Sequence, residues 1–179
     1  MRARVLPLLA AVLVGCSAET GGTPVAEPSA PGSTGTPSAR PVSLAEVDPC
    51  ALLTEEIAVE VGVEDVGAGR PSKISRGCGW FVDNWGQEGD AYTVAISVDE
   101  TRGLDDLPSD LDRTPLTVGS REAVQVETYD VCSIIMYVSE SSRADASAVG
   151  SDTSTLDEFD SCRMALRLAE LIEPALPLE

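Results

Sequence analysis

Cysteines and carboxylates carry whatever chemistry this chain can do, because its 179 residues include 5 Cys and 30 Asp or Glu but no histidine. Without imidazole there is no Ser-His-Asp or Cys-His nucleophile and no histidine-containing zinc site. No serine stands in a G-x-S-x-G or S-x-x-K pattern, so no hydroxyl has its base. Cys50, Cys78, Cys132 and Cys162 lie 28, 54 and 30 residues apart, with no C-x-x-C pair. That spacing suits neither a thiolate metal tetrad nor a redox dithiol, and four cysteines outside the cytosol read as two disulfides. The carboxylates outnumber 12 basic residues, for a net charge of −18. Such a surface repels phosphate backbones, which excludes nucleic acid as a partner.

The stretch Asp83-Asn84-Trp85-Gly86-Gln87-Glu88-Gly89-Asp90 concentrates polar groups in one loop. Asp83, Glu88 and Asp90 offer oxygens to calcium, but their order does not match an EF-hand loop, so no metal or cofactor is expected. Trp85 either anchors a partner at the loop tip or folds back over the sheet. Trp85, Asp83 and Asn84 are the candidate contact residues. The acidic runs Asp99-Glu100, Asp105-Asp106 and Asp157-Glu158 with Asp160 are read as a solvated surface. A carboxylate pair for glycoside hydrolysis is the weaker alternative.

Cys16 stands apart. Met1-Arg2-Ala3-Arg4 is a short basic segment, and Val5 to Val14 is apolar apart from Pro7. A run of this length falls far short of the roughly 20 residues a permanent span needs and suits the apolar part of a secretory signal. Leu13-Val14-Gly15-Cys16 resembles the lipobox of bacterial lipoproteins, in which the cysteine sulfur takes a diacylglycerol and the signal is cut before it. The resemblance makes Cys16 the lipidated first residue of the mature chain. Two acyl chains suffice for stable anchoring. Loss of Arg2 and Arg4 would leave 10 basic against 30 acidic residues, a net charge of −20.

The elements that position these groups begin after a tether. Residues 16–45 are rich in Pro, Gly, Ser and Thr with no apolar period, a composition that cannot offset chain entropy. The folded part is expected over residues 46–179. Asp48-Pro49-Cys50 reads as a helix start, and Thr54-Glu55-Glu56 caps a further turn that ends at Gly62. Alternation predicts strands through Cys78-Trp80-Val82, Tyr92-Val94-Ile96-Val98, Ala123-Val124-Val126 and Cys132-Ile134-Met136-Val138. A stripe from Leu156 through Phe159, Cys162, Leu166 and Ala169 to Ile172 predicts a helix over Thr155 to Leu171. Four cysteines allow three pairings. With Cys50 and Cys162 on helices and Cys78 and Cys132 on core-facing strand positions, Cys50–Cys162 and Cys78–Cys132 are the expected bridges.

Asp48-Pro49-Cys50-Ala51-Leu52-Leu53-Thr54, Cys78-Gly79-Trp80, Cys132 in a strand and Cys162 opening a helix together resemble one group. These are the actinobacterial secreted lipoproteins with a domain of unknown function. The resemblance covers Val47 to Pro177 and implies a lipid-anchored α+β domain, without catalytic residues to carry over. The expected fold is a single antiparallel β-sheet of about four to six strands, with N-terminal and C-terminal helices packed on one face. The expected function is a non-enzymatic binding or accessory module on the extracytoplasmic face of the cell membrane, a sensor component or envelope-complex partner. The alternatives are a carrier for a lipid or other apolar ligand and, third, an acidic-residue hydrolase.

Overall fold

A computed structural model describes residues 43–73, 75–82, 91–150 and 159–178. Cys16, the tether up to residue 42 and the loop holding Asp83, Asn84 and Trp85 lie outside the described residues. Alternation of apolar and small side chains produces seven strands, more than the four to six expected. They are β1 (Arg70–Pro71), β2 (Arg76–Val82), β3 (Tyr92–Asp99), β4 (Arg113–Val118), β5 (Arg121–Thr128), β6 (Val131–Ser139) and β7 (Ser142–Gly150). All pairings are antiparallel, in one sheet of order β1-β2-β3-β7-β6-β5-β4. The order follows from one long connection. After β3 the chain crosses to the far edge, then returns through a β4-to-β7 meander that ends beside β3.

β7 was not anticipated, because Ser-Arg-Ala-Asp-Ala-Ser-Ala-Val-Gly has little intrinsic strand preference. Its position explains it. Ala144, Ala146 and Ala148 are fully buried in the middle of the sheet, where only a small side chain leaves room for a helix above. That helix is α2 (Ser161–Ile172), which buries Ala165, Leu168, Ala169 and Ile172 against β6 and β7. Asp160 caps it, its carboxylate accepting from Arg163 N at 2.9 Å. The helix therefore begins at Ser161 and not at Thr155. Phe159 precedes the cap and stacks on Tyr92, ring centroids 4.7 Å apart.

The short helix α1 (Glu55–Glu60) is capped by the Thr54 hydroxyl, which accepts from Ile57 N. Cys50 is not helical. Asp48 Oδ1 accepts from Cys50 N at 2.9 Å, and Ala51 N reaches back to Asp48 O. The Asp-Pro-Cys segment thus forms an Asx-type turn in place of the expected helical start. Arg76 holds this entry segment by donating to Leu44 O and Val47 O, at 3.2 and 2.6 Å.

The bridges are Cys50–Cys78 and Cys132–Cys162, which overturns the expected pairing of Cys50 with Cys162 and Cys78 with Cys132. Strand order is the reason. β3 and β7 separate β2 from β6, so Cys78 and Cys132 stand three strand spacings apart. That is about 14 Å, twice what a disulfide can span. Each bridge instead ties a segment lying over the sheet to the strand beneath it, with Cα separations of 5.1 and 5.0 Å. Their loops close 28 and 30 residues, worth about 3.5 kcal/mol each on the chain-entropy model.

The C-terminal tail is clasped by charge. Arg121 at the start of β5 pairs with Glu173 (Nε–Oε1 3.0 Å) and donates to the carbonyls of Tyr137, Leu176 and Pro177. Every one of these groups is buried or nearly so, and the guanidinium is well furnished with acceptors, as a buried charge requires.

Candidate functional site

None of the predicted contact residues Asp83, Asn84 and Trp85 lies within the described part, so the site is built from what flanks them. α1 ends beside a segment that runs Gly62-Val63-Glu64-Asp65 into a single helical turn, Val66–Ala68. Asp65 caps that turn, accepting from Gly67 N at 2.9 Å, and Val66 O receives the indole N–H of Trp80 at 3.0 Å. Trp80 is thereby fixed in the core, as its shared face with Cys78 predicted. Two clefts open on either side of the 63–65 segment. One, of about 360 Å³, is lined by Glu55, Ala58, Val59, Val63, Glu64 and Asp65, among others. The second, of about 210 Å³, continues from Val63, Glu64 and Asp65 to Trp80, Phe81 and Val82.

This surface is unusual in what it leaves open. Val59 on α1 is 80% exposed, whereas Phe81, 61% exposed at the end of β2, alternates with buried Trp80 and Val82 and so points to the opposite face of the sheet. The sequence places Phe81 and Val82 directly before the Asp83-Asn84-Trp85 loop. The lining residues carry three carboxylates and no basic group. Glu60, on the same helix, is paired with Arg167 at 2.7 Å. Within α1, Val59 stands between Glu60 and the buried Ala58. Its position on a six-residue helix, with Ala58 taking the core position, is what turned it outward.

A second cluster lies on the opposite face of the sheet from α2. Residues 100–112, the long connection, cross this face and pack Leu104, Leu107 and Leu111 onto Val124, Val126 and Ile135. Beneath one end, Asp99 on β3 stands opposite Arg143 on β7, and Ser97 opposite Asp145. Arg143 donates to Gly103 O at 3.0 Å, and Gly103 N donates to Asp106. A Cβ at Gly103 would fall onto the carbonyl oxygen of Glu140, so only glycine fits this close approach.

The two carboxylates diverge in acidity. Burial pushes Asp145 up to about 6, against the opposing attraction of Arg143 and a hydrogen bond from Ser97. Burial would raise Asp99 too, but hydrogen bonds from Thr101 and Arg102 outweigh it and hold Asp99 below the ordinary range. Arg143 Nε and Asp145 Oδ1 are 3.9 Å apart, and each is buried without a hydrogen-bond partner among the described residues. A carboxylate pair of split acidity is the arrangement acid–base catalysis uses. Here residues 100–112 cover it, and neither Asp99 nor Asp145 lines the clefts described above.

A third feature escaped sequence reading. The β4–β5 and β5–β6 hairpins both turn through two residues, and both need positive φ at the first. Gly119 supplies it in one, at φ 58°, and Tyr129 in the other, at φ 55°. Tyr129 is 95% exposed. An aromatic ring at the tip of a strained turn is a conformational cost of about 1 kcal/mol with no packing to offset it.

Among the described residues, no group of three or more His, Cys, Asp or Glu could hold a metal ion, and no helix is long and apolar enough to cross a membrane. The family model described as "Protein of unknown function (DUF3558)" matches residues 11–175. The chain belongs to this family. Neither a curated protein nor a solved structure matches it. The DUF3558 match spans the acid-lined clefts, the Asp99–Arg143–Asp145 cluster and all four bridging cysteines. It extends upstream through Cys16.

Proposed function

We propose that this DUF3558 chain is a non-enzymatic binding or accessory module, held by a lipid on Cys16 at the extracytoplasmic face of the membrane. In this reading the Pro/Gly/Ser/Thr tether of residues 16–45 carries a disulfide-braced domain that meets an envelope protein. The anchor rests on the Leu13-Val14-Gly15-Cys16 motif, and the two bridges suit an oxidising compartment. One observation carries the binding role: Val59 stands exposed on α1 beside a cleft lined by Glu55, Glu64 and Asp65. Exposed apolar side chains rimmed by charge are what partner contacts are made of.

The carrier alternative needs space between sheet and helix. That space is filled among the described residues by Trp80, Ile96, Ile134, Met136, Leu168 and Ile172, all fully buried. The test is a photo-crosslinking side chain at Val59 in intact cells, against one at Thr117 on β4. A specific adduct from Val59 that Thr117 does not give is the expected result. Equal labelling from both positions, or none from Val59 in repeated trials, would remove the binding surface. A Cys16→Ala chain recovered undiminished in the membrane fraction would remove the anchor.

A further inference from the structure

We infer that the 100–112 connection is a proton-sensitive strap. It lies shut over the sheet while the Asp145 carboxyl keeps its proton. It loosens when that proton leaves, and so uncovers the apolar strip of Val124, Val126 and Ile135. The segment is fastened in a way that lets it lift alone, because it contributes no strand to the sheet. Arginine side chains hold it at three points. Arg102 pairs with Asp99 at 2.6 Å, Arg143 donates to Gly103 O at 3.0 Å, and Arg113 donates to Leu107 O and Pro108 O at 2.6 and 2.7 Å. Between these points Leu104, Leu107 and Leu111 rest on a small apolar cluster separate from the main core. Few backbone bonds and a small buried area mark a segment of low local stability.

Asp145 lies under the end held by Arg102 and Arg143. From β3 it is faced by the Ser97 hydroxyl, at 3.4 Å, and by Asp99. Arg143 faces it from its own strand and Arg102 from the strap, while β6 sets Ile135 opposite it and Tyr137 opposite Arg143. Asp145 Oδ1 is buried with no hydrogen-bond partner among the described residues, and so is Arg143 Nε, 3.9 Å away. A protonated carboxyl loses little in such a place. An anion there lacks water and close pairing, and it stands beside the second anion Asp99. Lifting the strap gives it water. An ionised Asp145 also competes with Gly103 O for the Arg143 guanidinium, which draws that fastening off the strap. Burial raises the Asp145 pKa from 3.8 to about 6, so the shut form holds the proton more tightly than the open one. Closure is therefore strongest below about pH 4 and weakens until pH passes about 6.

The experiment is native-state hydrogen exchange on the oxidised mature chain from pH 4 to 7.5, with rates corrected for the intrinsic pH dependence of amide exchange. The amides of Leu107 and Leu111, bonded to Leu104 O and Pro108 O, report the strap, and that of Ile134 in β6 reports global unfolding. Protection at Leu107 and Leu111 should fall roughly 30- to 100-fold between pH 4 and 6.5 and then level off. Its urea dependence should be much weaker than at Ile134, as local opening requires. Asp145→Asn should keep the acid level of protection throughout, and Asp145→Ala serves as a second uncharged variant. Asp110→Asn, which removes an exposed carboxylate of the same strap, should keep the wild-type profile.

Protection that ignores pH in the wild type, or that changes equally in Asp145→Asn, would overturn the inference. So would loss of the pH profile in Asp110→Asn, which would reduce the effect to net charge. Matching urea dependence at Leu107, Leu111 and Ile134 would also refute it, because the strap would then leave the sheet only when the whole domain unfolds.

Discussion

Replacing Asp145 by asparagine should stabilise the protein at neutral pH and leave it unchanged in acid. The carboxyl sits beneath the 100–112 connection, facing Arg143 on its own strand, Ser97 and Asp99 on β3, and Arg102 from the connection. Burial lifts its pKa from 3.8 to about 6, a balance that already contains the attraction of Arg143. A group whose folded pKa is raised adds stability below its unfolded pKa and loses that contribution as pH rises through the folded value. The window is therefore about pH 4 to 6, and above it the ionised form costs on the order of 3 kcal/mol. Water reaches 27% of the side chain, which trims the figure toward 2. Asparagine keeps the shape and can still bond Ser97, but carries no charge to desolvate. Urea unfolding at half-unit steps from pH 4 to 8, for wild type and Asp145→Asn, gives the difference directly. It should be near zero at pH 4, climb to about 2–3 kcal/mol in favour of the variant by pH 6.5, and then stay level. A flat difference, or a wild type that is the more stable at pH 7, would refute the reasoning. A flat difference would mean that the pair with Arg143 cancels the cost of burial, and a more stable wild type would mean that it outweighs it.

Three further outcomes are expected. Non-reducing peptide mapping should recover Cys50 with Cys78 and Cys132 with Cys162, and opening either bridge by a Cys→Ala pair should cost about 3.5 kcal/mol in denaturant melts. Tyr129→Gly should raise stability by about 1 kcal/mol, since glycine takes positive φ freely; a loss of stability would mean the ring packs on something in solution. Arg121→Ala should destabilise by about 3–5 kcal/mol, because Glu173 and the tail carbonyls would be left buried without their cation. A thermal midpoint within a degree or two of wild type would show that the clasp is not buried in solution.

Much of the local structure was legible along the chain. Alternation located β2, β3, β5 and β6, and the threefold and fourfold spacing located α2, because a half-buried strand or helix writes its own period into the residues that form it. β7 left no such mark. Its alanines face α2, and they are small because a helix lies close above them, a constraint imposed by a segment 17 or more residues away in sequence. In the 100–112 connection Leu104, Leu107 and Leu111 stand three and four residues apart, a helical spacing, yet the segment forms only turns and bends as it crosses the sheet face.

The sequence alone determined that the chain has one α+β domain, two disulfides and an acidic surface. It could not determine which cysteines meet, since pairing depends on strand order, and strand order depends on a crossover that no local pattern records. The same is true of the clefts lined by Val59, Glu55, Glu64, Asp65 and Trp80. These residues come from α1, β2 and the turn between them, and only the Cys50–Cys78 bridge and the antiparallel pairing of β2 bring the three together. Period is a property of neighbours along the chain, whereas a site is a property of neighbours in space, and here the two are joined by contacts that span tens of residues.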